Sequence, residues 1–344
     1  MELSNRKLKL LYLIVNSYIQ TGEPVSSKTL CDILNSSISS ATIRNEMAEL
    51  TELHFLEQPH TSAGRIPSHF GYRLYINKLM NKKMLSKENQ KLIDDTLSMY
   101  KDNPDNLIHA ASNLLSQITN STVVSVAMST DKNVIKQIEI VKLGTCKVMI
   151  ILVTSSGVIK SRILRLNFII DDDTLSLIVN VLNKKLVNVF LSDLTPAFIQ
   201  TFAASLGELT FLLSDILEAV IQLVKEANYK DVHLDGQANL LLIPEFKPEL
   251  VIQLIESLKN EQVLKDLFFD TSFQKTRVII GKENKHSAFN KSSVILTKYN
   301  AKDQKRGIIG IIGPTRMNYS YLIANVEYVA SSVGNLLYDL LRLD

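Results

Sequence analysis

Two cysteines, Cys31 and Cys146, stand in a chain of 344 residues. That is too few for a disulfide framework, and their separation offers no Cys-based zinc site. The six histidines (His54, His60, His69, His109, His233 and His286) show no His-x-x-x-His spacing, so neither a metal nor another cofactor is expected. No apolar run approaches the roughly 18–20 residues of a membrane span. Arg6, Lys7 and Lys9 precede the apolar "LLYLIV", but that run is too short for a signal peptide and no small-residue cleavage site follows. A cytoplasmic protein without a membrane partner is expected. There is no Gly-x-Ser-x-Gly elbow, and the evenly spaced glycines of "GIIGIIG" lack the Gly-Lys-Ser/Thr of a phosphate loop. Nothing nominates an enzyme. There is no internal repeat.

What is present is an uneven charge. Residues 1–83 hold ten bases against seven acids, which accounts for the whole net charge of +3; the remainder balances at 28 of each (38 less ten, 35 less seven). From Gln58 to Lys83 there is no acid at all. An acid-free basic stretch is the footprint of a polyanion partner.

That stretch follows three short helical patterns. Ser4–Gln20 is amphipathic, with Leu8, Leu11, Tyr12, Val15, Tyr18 and Ile19 on one face, and Gly22 and Pro24 end it. Ser26 can cap a second helix to about Leu34. A turn plugged by Ile38 leads into "SSATIRNEMAEL", where Ile43, Met47 and Leu50 form an apolar stripe and Ser39 or Ser40 can cap. The opposite face crowds Ser40, Thr42, Arg44 and Asn45 together. Arg44 has no acid three or four residues away to pair with. Glu46 reads as a dipole match or as a cytosine reader, the former being favoured. Phe55–Gln58 and Arg65–Pro67 read as strands joined by a tip, "HTSAG", with Pro67 at an edge. Three helices and a hairpin are the order of a winged helix-turn-helix. Ser39, Ser40, Thr42, Arg44 and Asn45 would meet DNA in the major groove, and His60, Thr61, Ser62, Arg65 and Arg73 would meet its backbone or minor groove beside it.

Beyond Gly71 a polar, mainly helical connector runs to Asn103–Pro104, followed by a helix with Leu107, Ile108, Ala111, Leu114, Leu115 and Ile118 apolar. Four strands ("TVVSVAMS", "IKQIEIVKL", "KVMIILVT", "GVIKSRIL") precede a helical stretch from Asp171 to Asp235. Two more helices, three strands ("TRVIIG", "SSVILTKY", "GIIGIIG") and a long final helix complete the chain. Strands, helices and strands again indicate an α+β multidomain chain with a helical insertion. "GPTRMNYSY" and "IGKEN" read as structural turns, with Arg316 tied to a carboxylate or carbonyls.

Four blocks, "SSATIRNEMAEL", "PHTSAGRIPS" with "GYR", "IGKEN" and "GIIGPTRMNY", closely resemble the HrcA family of heat-inducible transcription repressors, in the family's order and across nearly the whole chain. The resemblance implies a winged-helix domain over residues 1–83, a helical linker over 84–103, a GAF-like domain over 104–170 and 236–344, and an inserted dimerisation domain over 171–235. It implies a homodimer on an inverted-repeat DNA operator, CIRCE, of chaperone operons, associated with the nucleoid through it. It also implies that the GroE chaperonin keeps the repressor active. The alternative is a regulator whose GAF-like domain binds a small effector. The family usually has glycine where His54 stands, so a positive φ is expected there; it often has an acid where His69 stands.

Overall fold

The computed structural model describes residues 3–35, 37–60, 63–127, 133–205, 210–228, 232–268, 273–301 and 304–341. It is a mixed helix-and-sheet chain of several units, in line with the α+β expectation.

The first unit contains helices α1 (Asn5–Thr21), α2 (Ser27–Ile33) and α3 (Ser40–Glu52), a two-stranded antiparallel hairpin of β1 (Leu56–Glu57) and β2 (Ile66–Pro67), and α4 (His69–Leu74). Each start is dictated by a serine: Ser4, Ser26, Ser39 and Ser68 sit in extended backbone and accept a first-turn N–H. Gly22 ends α1 at φ 73°, donating its N–H to the Tyr18 carbonyl. His54 takes φ 62°, the positive value expected where the family has glycine.

A wider π-turn over Tyr75–Leu79 leads on to α5 (Lys87–Ser98), and Asn103 then caps α6 (Pro104–Thr119). The expected connector is not free. Ile93 and Leu97 of α5 are fully buried, and Asp94 accepts hydrogen bonds from Tyr328 and Ser332.

Strand β3 (Thr122–Ala127) enters a five-stranded antiparallel sheet. The next three strands, β4 (Ile135–Gly144), β5 (Lys147–Thr154) and β6 (Ile159–Arg165), form a separate antiparallel meander. Helices α7 (Asp172–Leu186), α8 (Pro196–Ala204) and α9 (Thr210–Asn228) follow, with Asp171 capping α7 by accepting the Thr174 N–H. One core holds Ile138, Ile150 and Leu152 of the meander together with Ile178, Leu182, Ile216 and Leu223 of the helices. A division at residue 171 would therefore cut through this core; strands and helices from about 133 to 228 pack as one body.

The expected helical stretch also ends too late. Val232–Asp235 is strand β7, paired with β3. Helices α10 (Pro248–Lys259) and α11 (Glu261–Phe268), strands β8 (Thr276–Ile280), β9 (Ser292–Ala301) and β10 (Gln304–Pro314), and helix α12 (Tyr319–Leu341) complete the chain. The large sheet runs β7-β3-β10-β9-β8. Both faces are covered, which explains its continuous apolar runs. Val123, Ile309 and Ile311 face a core shared with α6, α12 and the first unit. Val124, Ile308 and Ile312 face a core with α10 and α11. The "GIIGIIG" run is thus a central strand. Among the described residues no helix is long and apolar enough to cross a membrane.

Candidate nucleic-acid interface

Helix α3 is held from beneath. Ile43 and Leu50 are fully buried and Met47 nearly so. The Ser39 hydroxyl accepts the Thr42 N–H at 3.1 Å and lies 2.8 Å from the Thr42 hydroxyl. The Ser40 hydroxyl lies 3.1 Å from that of Ser27, joining α3 to the start of α2. Three of the five expected contact residues of α3 are therefore already linked by hydrogen bonds that set the helix entry. Ile38 packs against the core, as a turn plug should, and the Cys31 thiol donates to its carbonyl.

Arg44 and Asn45 are different. Both are exposed, and among the described residues their side chains make no hydrogen bond or ion pair. Adjacent on the outer side of α3, they offer one guanidinium fork and one amide with nothing of their own to bind. Lys28 on α2 is likewise exposed and without an ion pair among the described residues. Sequence reasoning passed it over; its position one residue beyond Ser27 was the available signal.

Glu46 corrects the sequence reading. It faces inward, 5% exposed, and accepts a hydrogen bond from Arg6 Nε at 2.7 Å and a second from the terminal nitrogen of the same guanidinium. Lys7 Nζ lies 3.8 Å from its other oxygen and 2.6 Å from Glu49. The Glu49 hydrogen bond raises the Lys7 ammonium above its ordinary range. Glu46 is neither a dipole match nor a base reader; it ties α3 to α1, so that these two acids are turned to α1. Arg6 is half exposed, so removing its partner leaves a charge that water can reach, and Glu46→Ala should lower stability by only about 1–2 kcal/mol. Chemical denaturation checks this. The variant's base preference on DNA should be unchanged; an altered preference at one base pair would restore the reader role.

The hairpin is fixed by backbone. Val25 pairs with Arg65 in both directions, at 2.9 and 2.8 Å, adding a third rung beside β1 and β2. A Cβ on Gly64 would sit 2.4 Å from the Val25 carbonyl oxygen, so only glycine allows that approach. The Arg65 guanidinium lies over the end of α3, donating from Nε to the Thr51 hydroxyl at 3.0 Å. His60 is exposed at the tip; Thr61 and Ser62 lie outside the described residues.

Arg73 does not join this surface. Its Nε donates to Glu283 at 2.9 Å, a terminal nitrogen donates to the Val278 carbonyl at 2.6 Å, and it also pairs with the other Glu283 oxygen. The expected DNA contact is thus occupied within the protein, by a partner 210 positions away. Beside it Tyr72 is buried against Tyr319, ring centroids 5.8 Å apart.

A family model described as the HrcA protein C terminal domain matches residues 105–323. The heat-inducible transcription repressor HrcA of Clostridioides difficile (strain 630) is 36% identical over 334 residues, covering 96% of this chain and 98% of that relative. That of Clostridium acetobutylicum is 36% identical over 341 residues, with coverages of 97% and 98%. The chain belongs to the HrcA family. HrcA proteins are heat-inducible transcription repressors and not enzymes. A crystal structure of a hypothetical protein at 2.2 Å resolution shares the fold, with a TM-score of 0.69 at 24% identity, covering 98% of this chain and all of that one. The HrcA-like blocks now have places. "SSATIRNEMAEL" is α3 with its cap. "PHTSAGRIPS" is the hairpin with its Gly64 approach and Ser68 cap. "GYR" and "IGKEN" meet through Arg73 and Glu283. "GPTRMNY" carries Arg316, which is hydrogen-bonded to Glu245 as the structural reading expected and has its pKa raised by that bond.

Proposed function

We propose that this chain is a homodimeric repressor of heat-shock chaperone operons, binding the inverted-repeat operator CIRCE and held active by the GroE chaperonin. The observation that carries the DNA reading is the outer face of α3. Its acids at 46 and 49 are engaged with α1 and its hydroxyls at 39, 40 and 42 are fixed, while among the described residues Arg44 and Asn45 project with unused donors and acceptors, and the exposed Glu52 closes the far end of the helix. Arg can bind guanine O6 and N7 bidentately, and Asn can bind adenine N6 and N7. Residues 1–83 are then a winged helix-turn-helix. The hairpin with His60, Thr61, Ser62 and Arg65 lies along the sugar-phosphate backbone, where Lys28 joins it as helix α2 crosses. Ser39, Ser40 and Thr42 serve first as the frame of α3 and second as phosphate contacts. The setting is cytoplasmic, at the nucleoid.

The five-stranded unit, residues 104–127 and 232–341, is the GAF-like domain, and the inserted dimerisation domain spans about 133–228 in place of 171–235. The outer face of its meander supports that assignment. Val141, Met149 and Ile163 form one row across the three strands, and Val153 and Ile159 another, with Val141, Ile159 and Ile163 exposed. An apolar sheet face of this kind is usual at an interface and unusual in solvent.

The chaperonin part is tested by titrating the repressor onto a CIRCE duplex with and without purified GroE. The reading expects tighter binding or a larger active fraction when GroE is present; identical curves would remove it. The ligand-sensing alternative has one place in its favour. A cavity of about 490 Å³ lies between the α5–α6 turn and the meander, lined by Asp102, Pro104, Lys136, Thr154, Ile159 and Leu340. It requires a small molecule to change operator affinity without chaperonin.

A further inference from the structure

The first unit is not carried on a tether. It is fastened to the large-sheet unit by one arginine and packed against a second. Arg73 on α4 forms a two-pronged pair with Glu283 and also donates to the Val278 carbonyl of β8. Glu283 is itself fixed, because its carboxylate accepts the Ile280 N–H at 2.9 Å. On the other side Arg316, bound to Glu245, lies under the α1 C-cap, where a Cβ on Gly22 would come within 3.2 Å of the guanidinium carbon. Between them Ser320 accepts the Lys83 N–H at 3.0 Å and donates to the Asn81 carbonyl at 2.6 Å.

The Arg73 latch continues to α3. Ser68, which caps α4, donates its hydroxyl to the His54 carbonyl at the end of α3 and its N–H to the Phe55 carbonyl. Short polar links thus run from α3 through Ser68 and α4 to Glu283. The buried Tyr72–Tyr319 contact holds the two units close with only a weak preference of angle. A bidentate Arg–carboxylate pair also fixes angle. Both partners are about one-third exposed, where such a pair adds little stability, so its consequence is geometric.

We propose that Arg73 and Glu283 are positioning residues that set the angle at which α3 is presented, and thereby the spacing between half-sites that the repressor accepts. This rests on the dimeric inverted-repeat reading above. In a two-fold dimer the placement of each first unit on its sheet fixes the separation and rotation of the two α3 helices. Each added base pair turns a half-site by about 34° and moves it by about 3.4 Å, since a helical turn of about 34–36 Å holds 10–10.5 pairs. A latched unit tolerates little of either. A loosened one follows the half-site.

The experiment uses full-length wild type, Arg73→Ala and Glu283→Gln on a CIRCE duplex, on versions with the spacer changed by one to three base pairs, and on a single half-site. Wild type should lose roughly tenfold or more at two or three pairs of change, while both variants should vary by less than about threefold across the series. Half-site affinity should stay within about twofold of wild type, because neither residue touches DNA. Variants that keep the wild-type spacing profile overturn the proposal. If Arg73→Ala alone loses half-site binding it has lost its fold, and Glu283→Gln, which leaves the arginine in place, decides. A wild type that binds the half-site as tightly as the repeat overturns the dimeric reading first, and this inference with it.

Discussion

Ile163→Lys should convert the repressor to monomers and weaken binding to the inverted repeat by about 10²–10⁴-fold, the avidity lost when two linked sites act singly. Ile163 is 56% exposed on β6, and its neighbours across the sheet are Met149 and then Val141. Strand alternation turns Ile150 and Leu152 of β5 to the opposite, buried face. A lysine at 163 therefore reaches water in the monomer and leaves the core untouched, but would place an unpaired charge in the middle of the proposed dimer contact. Thermal unfolding of the monomer should change little, while sedimentation should report half the mass. This is a cleaner test than deleting residues 171–235, which would remove the helices that cover Ile138, Ile150 and Leu152. A dimer that survives Ile163→Lys would place the interface on another surface.

Arg44→Ala should weaken operator binding by about 1–3 kcal/mol per half-site and relax discrimination at the base pair that the guanidinium meets. Two half-sites in one dimer carry the substitution, so the whole-operator effect is expected near twice the half-site value if the two contacts are independent. The structure favours a clean result: Arg44 has no bond to lose within the described residues, so its removal leaves α3 with its Ser39 cap and its buried Ile43, Met47 and Leu50. Competition binding against every base at each half-site position distinguishes the outcomes. Equal loss on operator and scrambled DNA would make Arg44 a phosphate contact; no loss on either would make it a solvated side chain.

Local features were legible in the sequence because their causes are local. The caps at Ser26 and Ser39, the Gly22 stop, the Ile43–Met47–Leu50 stripe and the strands Ile135–Gly144, Lys147–Thr154 and Ile159–Arg165 all follow from residues within a few positions of one another. The positive φ of His54 was legible from the family's glycine. What escaped was set by distant partners. Glu46 is defined by Arg6, 40 positions away, and Arg73 by Glu283, 210 away; neither pairing leaves a trace in periodicity. Strand β7 escaped because its Val-His-Leu-Asp alternation covers only four residues and was absorbed into the long helical pattern before it. The limits of the insertion escaped for a similar reason: the meander strands look alike whether they join the large sheet or stand apart, and only the shared core with α7 and α9 assigns them.

The most direct test of the central claim is a titration of the full-length repressor onto a labelled CIRCE duplex and onto one with a half-site scrambled, at a fixed salt concentration and again at several. The account predicts at least about a hundredfold preference for the intact repeat over the duplex with one half-site scrambled, short of the roughly 10³–10⁷ that separates specific from fully non-specific binding. It also predicts that the preference persists as salt rises, because base contacts from Arg44 and Asn45 carry it. Equal affinities for the two duplexes, falling together with salt, would contradict it and leave only a basic surface on residues 1–83.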